Sequence, residues 1–255
     1  MKILCPSDYS SNSMSALEAA IYYTKLLEAD LHIINVCSTE KESEKSTIKL
    51  NQMLAGISAI SEGYITPSVA VVHGYASEEI IQYANRNDID WIIMGTKGHN
   101  TLKNVIFGSV TNNVTSISRV PVLVVPQELA SEFNTNMLLA IDDHEIEKEE
   151  IFDLPMEIAK SNGVNIDILH IMTKKEIIPF DPYLFAFLKE RAGEIYLIEG
   201  TDTIKEIKKF TEKNQFGLLM MIRRPKNLLT KLLKASYTTE EASVTNTPLL
   251  ILPGK

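Results

Sequence analysis

Short apolar runs alternate along the chain with longer stretches whose apolar residues recur at helical spacing, and this alternation is written twice. Ile3-Leu4-Cys5-Pro6-Ser7-Asp8, an apolar run closing on an aspartate, is echoed by Met137-Leu138-Leu139-Ala140-Ile141-Asp142. A helical segment follows each run, with Met14, Leu17, Ala20-Ile21 and Leu26-Leu27 as the apolar stripe of the first, and Ile151, Leu154 and Ile158-Ala159 as that of the second. Each helix leads into a strand, Asp30 to Val36 and Val164 to His170. A further helix and strand end at Val72-His73-Gly74 and at Ile198-Glu199-Gly200. Helices over Ser77 to Asn87 and Thr203 to Asn214 precede the apolar runs Trp91 to Met94 and Leu218 to Ile222, and the copies close with Pro121 to Pro126 and Pro248 to Pro253.

Both copies therefore read βαβαβαβαβ. Parallel neighbours need helical crossovers, so the alternation predicts an α/β fold of two tandem domains, each a five-stranded parallel sheet flanked by helices. Right-handed crossovers with one reversal of direction give the strand order 3-2-1-4-5. The polar stretch Gln127 to Asn136 lacks periodicity and marks the boundary, giving domains over 1–127 and 136–255.

The chemistry concentrates where the fourth strand of the first copy ends. Met94 to Thr111 reads MGTKGHNTLKNVIFGSVT, with Gly95, Gly98 and Gly108-Ser109 spaced as G, two residues, G, nine residues, G-S. Lacking a Cβ, glycines let a backbone approach an anion, and a helix starting near Gly108 aims unpaired N–H groups and its positive dipole end at the same place. Glycines in a loop are equally ordinary turn punctuation. The strand–loop–helix–strand context favours a ligand site, because open α/β sheets bind beyond the carboxyl ends of their strands. The predicted order brings Asp8, at the end of strand 1, beside Gly95. An aspartate there can serve a ligand or cap the next helix. Lys97 and His99 lie in the loop within reach of phosphate, although charged loop residues are more often solvated.

Composition narrows the classes. The 255 residues carry a net charge of -8, which disfavours nonspecific nucleic-acid binding. No run approaches the roughly 18 apolar residues of a membrane helix, and Met1 to Pro6 is too short for a signal peptide, so the expected location is the cytoplasm. Cys5 and Cys37 fall in predicted strands and read as small buried hydrophobes. The five histidines are scattered without metal-ligand spacing.

These motifs resemble the universal stress protein family in tandem form, most strongly in the first copy through Pro6-Ser7-Asp8, the strand end at Val36 and the Gly95, Gly98, Gly108-Ser109 spacing. The resemblance implies a flavodoxin-like, adenine nucleotide alpha-hydrolase-like fold that binds ATP or AMP and regulates stress responses. It implies that Pro6, Ser7, Val36 and Met94 line an adenine pocket and that Asp8 meets the ribose. Gly95, Gly98 and His99 would shape the loop over the nucleotide, and Gly108, Ser109, Val110 and Thr111 would hold its phosphates. Mg2+ could bridge those phosphates. It also implies that Val120–Val125 and Leu249–Leu252 pair the copies as an intramolecular pseudo-dimer, with a homodimer also open.

The second copy loses the glycines. Aligning His73-Gly74 with Glu199-Gly200 adds 126 to each number and sets Met221, Arg224, Lys234 and Ala235 against Gly95, Gly98, Gly108 and Ser109. No ATP site of the same kind is expected there. The basic segment from Arg223 to Lys234 reads as a solvated face, and Glu176 to Phe187 as a buried apolar cover. Slow ATP hydrolysis and a nucleotide-independent interaction module are the alternatives. A Walker lysine motif is absent from the sequence.

Overall fold

Strand β1 (Lys2–Pro6) begins a run of alternating elements: α1 (Ser11–Leu26), β2 (Asp30–Cys37), α2 (Glu40–Ile60), β3 (Ser68–His73), α3 (Ala76–Arg86), β4 (Trp91–Gly95), α4 (Ser109–Ile117) and β5 (Val122–Val125). The computed structural model describes residues 1–61, 63–96, 107–127, 135–142, 146, 149–172, 192–224 and 247–254. The chain divides into two compact units, Met1–Glu128 and Leu129–Lys255. In the first the strands lie in the order β3-β2-β1-β4-β5, all parallel. In the second, β6 (Met137–Ile141), α5 (Asp153–Asn162), β7 (Ile166–Met172), β8 (Ala192–Glu199), α6 (Thr203–Asn214), β9 (Leu218–Ile222) and β10 (Leu249–Leu252) give the parallel order β8-β7-β6-β9-β10. Each unit thus has the predicted 3-2-1-4-5 arrangement.

Burial explains why the central strands read as unbroken apolar runs. Ile3, Leu4, Trp91, Ile92 and Ile93 are fully buried, because helices cover both faces of such a sheet. The Tyr23 ring meets Trp91 edge-on at 5.1 Å and ties α1 to β4. Helix α1 starts at Ser10, whose side chain accepts the Ser13 N–H, as a serine cap does. Its buried face differs from the predicted stripe: Met14 is exposed, and Ala16, Leu17, Ala19, Ala20, Ile21 and Tyr23 face inward. The small alanines let the helix lie close to the sheet, so the large apolar residues alone did not trace its inner face.

Both cysteines are buried free thiols, and burial pushes the Cys5 thiol up to about 12. Among the described residues no helix is long and apolar enough to cross a membrane. Gly56, inside α2, has open space where a Cβ would stand. Gly56→Ala is therefore expected to stabilise the fold by about 0.5–1 kcal/mol, read as a higher urea midpoint with unchanged slope. A lower midpoint would show that the position is constrained.

Candidate functional site

The sheet opens between β1 and β4. These strands pair only at Ile3↔Trp91 and Leu4↔Ile92, whereas β1 and β2 pair from Lys2↔Asp30 to Pro6↔Ile34. Beyond Leu4 the two central strands have no ladder between them, as expected where crossovers leave in opposite directions. The Ser7-Asp8-Tyr9-Ser10 turn stands on one side of the split and Gly95-Thr96 on the other.

The turn is held from beneath. The Ser7 N–H donates to the Ile34 carbonyl at 2.8 Å, Asn35 Nδ2 donates to the Ser7 carbonyl at 2.7 Å, and Ser7 Oγ donates to Ser13 Oγ at 3.1 Å. Asn35 is buried, and its Oδ1 has no hydrogen-bond partner among the described residues. One Asp8 carboxylate oxygen accepts the Ser10 N–H at 3.0 Å. Because Ser10 is itself the cap of α1, Asp8 shapes the turn rather than closing the helix, which removes the capping alternative for it. Tyr9 takes the left-handed conformation at φ 64°, costly for a residue with a Cβ. Its hydroxyl donates to the Ser46 carbonyl at 2.9 Å, and the Lys49 ammonium lies 5.0 Å from the ring centroid, so α2 grips the turn.

A chain of polar contacts crosses the split to the start of α4. Thr96 Oγ1 donates to Asn12 Oδ1 at 3.0 Å, and the Gly108 N–H donates to the Thr96 carbonyl at 2.7 Å. Buried Thr111 donates its hydroxyl to the Gly95 carbonyl at 2.9 Å. The first intrahelical bond of α4 runs from the Asn112 N–H to the Gly108 carbonyl at 2.9 Å, and no side chain caps the helix at Gly108. The N–H groups of Ser109, Val110 and Thr111 are left without intrahelical acceptors, the usual anion-binding end of a helix.

The structure thus gathers Pro6, Ser7, Asp8, Met94, Gly95, Gly108, Ser109, Val110 and Thr111 around the carboxyl ends of β1 and β4. Val36 stands on β2 two positions past the Pro6 partner Ile34. Gly98, His99 and Lys97 lie outside the described residues, as do Glu176 to Phe187 and all of the basic segment after Arg224. Gly95 has a packing role besides: a Cβ on it would stand 2.6 Å from the Asn12 carbonyl oxygen. Asn12, Thr96, Asn35 and Tyr9 were not singled out from the sequence. Their partners are remote, Asn12 and Thr96 being 84 residues apart, and only a buried asparagine in the first turn of a helix hints at such a role.

The family model of the universal stress proteins matches residues 1–126. Those residues belong to the universal stress protein family. A universal stress protein of Methanocaldococcus jannaschii, MJ0577, is 27% identical over 155 residues, half of this chain and 95% of that protein. The stress response protein NhaX of Bacillus subtilis is 36% identical over 66 residues, 26% of this chain and 40% of that protein. A universal stress protein structure from Archaeoglobus fulgidus shares the fold over 99% of this chain and 96% of its own, with a TM-score of 0.75 at 17% identity.

In the second unit, β6 and β9 pair along four positions, from Met137↔Leu218 to Ala140↔Met221. Gly95 pairs with Val125 and Ile222 with Leu252, each pair ending its strands, so the register offset is 127 and Ile222 occupies the Gly95 place. The offset of 126 is corrected because α6 has 12 residues where α3 has 11. Arg224 reaches Asp142 at 3.4 Å, with both side chains largely buried. Among the described residues, Ala140, Ile141, Asp142, Ile207, Met221, Ile222 and Arg224 line a cavity of about 20 Å³, room for a single water.

Proposed function

We propose that the stress-protein domain binds an adenine nucleotide, ATP or AMP, in the split between β1 and β4, and that the protein acts in the cytoplasmic stress response by regulation or partner binding. The observation that supports this most is that the Asp8 carboxylate follows the end of β1 and the uncapped first turn of α4 is tied to Thr96 at the end of the neighbouring β4. Two complementary chemistries stand there: a carboxylate to accept ribose hydroxyls, and N–H groups from Ser109 to Thr111 for phosphate oxygens. Adenine packs against Pro6, Ser7, Val36 and Met94, and the buried Asn35 Oδ1 is an acceptor for a ligand N–H. Gly98 and His99 are proposed as further nucleotide-binding residues on the family resemblance alone.

Among the described residues no group of three or more His, Cys, Asp or Glu is placed to hold a metal ion. A magnesium ion bound with the nucleotide would sit on the phosphates and keep water as most of its ligands. The second unit is proposed as a second stress-protein domain without nucleotide, its crevice taken by the Arg224–Asp142 pair.

Denaturing the purified protein and chromatographing the supernatant tests occupancy. We expect one adenine nucleotide per chain, and a raised melting temperature when ATP or AMP is added to stripped protein. Absence of both effects would refute nucleotide binding. Multiple-turnover phosphate release would replace the regulatory assignment by hydrolysis.

A further inference from the structure

Beyond Leu4 and Ile92 the strands β1 and β4 have no ladder between them, so main-chain pairing does not fix how far the Asp8 turn stands from the end of β4. A side-chain bond ties the two sides instead: Thr96 Oγ1 donates to Asn12 Oδ1 at 3.0 Å. Asn12 is a buried residue in the first turn of α1, where its low helix propensity and its desolvation both need an offset. Its amide is used at both ends, since Nδ2 donates to Gln127 Oε1 at 3.4 Å. The same turn of α1 is capped by Ser10, whose N–H donates to the Asp8 carboxylate at 3.0 Å. Asn12 thus belongs to the segment that holds Asp8.

Thr96 is in turn the anchor of α4. Its carbonyl accepts the Gly108 N–H at 2.7 Å, and the carbonyl of Gly95 before it accepts the Thr111 hydroxyl at 2.9 Å. No side chain caps α4 at Gly108, so these bonds to Gly95-Thr96 set the direction of the N–H groups that lack intrahelical acceptors. The Thr96 N–H donates to the Val125 carbonyl at 3.1 Å, which holds the residue to β5 on its other side. We propose that Asn12 and Thr96 are positioning residues of the nucleotide site: their bond sets the first turn of α4 at a fixed span from the Asp8 turn, and so decides how strongly the site prefers a phosphorylated nucleotide to the bare nucleoside. This role rests on the adenine-nucleotide reading of the split. A donor turn that is already fixed loses little freedom when a phosphate arrives, whereas a loose one must be ordered by the ligand. The nucleoside, having no phosphate, does not draw on that turn.

Titration of the stripped full chain with ATP and with adenosine reads the preference as a ratio of affinities. Thr96→Val, which keeps the shape and removes the hydroxyl, is expected to lower that ratio about tenfold, as the loss of one hydrogen bond does. Thr96→Ser, which keeps the hydroxyl, should restore it. Asn12→Ala should lower the ratio as Thr96→Val does, and the double variant should lower it no further, because both changes break the same bond. In the ligand-free protein Thr96→Val should also speed hydrogen exchange at the Gly108 amide. A merely structural role would lower the melting temperature and leave the ratio unchanged. The proposal is overturned if either single variant keeps the wild-type ratio, if Thr96→Ser does not recover it, or if the two losses add. Should Thr96→Val fail to fold, Asn12→Ala and Thr96→Ser decide the same question. Wild-type protein that binds neither ATP nor AMP overturns the nucleotide reading itself, whereas a wild type that binds, with variants of unchanged ratio, overturns only this positioning role.

Discussion

Gly95→Ala is expected to destabilise the nucleotide-free protein by about 1–3 kcal/mol, the usual cost of overpacking a filled site. The added Cβ would stand 2.6 Å from the Asn12 carbonyl oxygen and 2.8 Å from its carbonyl carbon. Both are backbone atoms in the first turn of α1, so no side-chain rotation relieves the contact. Relief requires shifting α1 away from β4, which loosens the packing of Tyr23 on Trp91 and stretches the 3.0 Å bond from Thr96 to Asn12. Urea unfolding of stripped protein reads the effect as a lower midpoint, with Gly56→Ala moving the other way as a control. An unchanged midpoint would mean that α1 yields at no cost and that packing does not require Gly95. The measurement also separates two reasons for one residue. If stability falls without ligand, the glycine is needed by the fold of this unit before any phosphate arrives.

Which features could be read from the sequence follows from the range of the interactions that make them. The strand order was legible because apolar runs such as Trp91 to Met94 and helical stretches between them force parallel neighbours joined by crossovers. Helix existence was equally plain, but the inner face of α1 was not, since three of its buried residues are alanines that leave no strong apolar stripe. Asp8 and the Gly108-Ser109 pair were legible because each carries its chemistry locally, at a strand end and a helix start. Asn12, Thr96 and Asn35 were not, because their hydrogen bonds join segments distant in sequence. The second unit illustrates the same limit. Loss of its glycines was readable, whereas the one-residue longer α6 displaced the alignment, and the contact from Arg224 to Asp142 emerged only from the fold.

Asp8→Ala is expected to weaken adenine-nucleotide binding about 10- to 100-fold while leaving the chain folded. Hydrogen bonds to a charged group contribute about 1.5–3 kcal/mol, and tenfold in affinity corresponds to about 1.4 kcal/mol. The fold tolerates the change because Ser10, not Asp8, caps α1; the variant gives up the 3.0 Å bond from the Ser10 N–H, a loss of about 1 kcal/mol. Asp8→Asn keeps an oxygen for that N–H and removes the charge. If the carboxylate acts on the ligand, Asn should restore stability but recover only part of the affinity. If Asp8 matters solely by shaping the turn, Asn should restore both. Titration of stripped wild-type protein should meanwhile saturate at one nucleotide per chain, because the Arg224 guanidinium occupies the only described counterpart of the split in the second unit. Two equivalent sites would require that ion pair to open at little cost, and Arg224→Ala would then leave the second site's affinity unchanged.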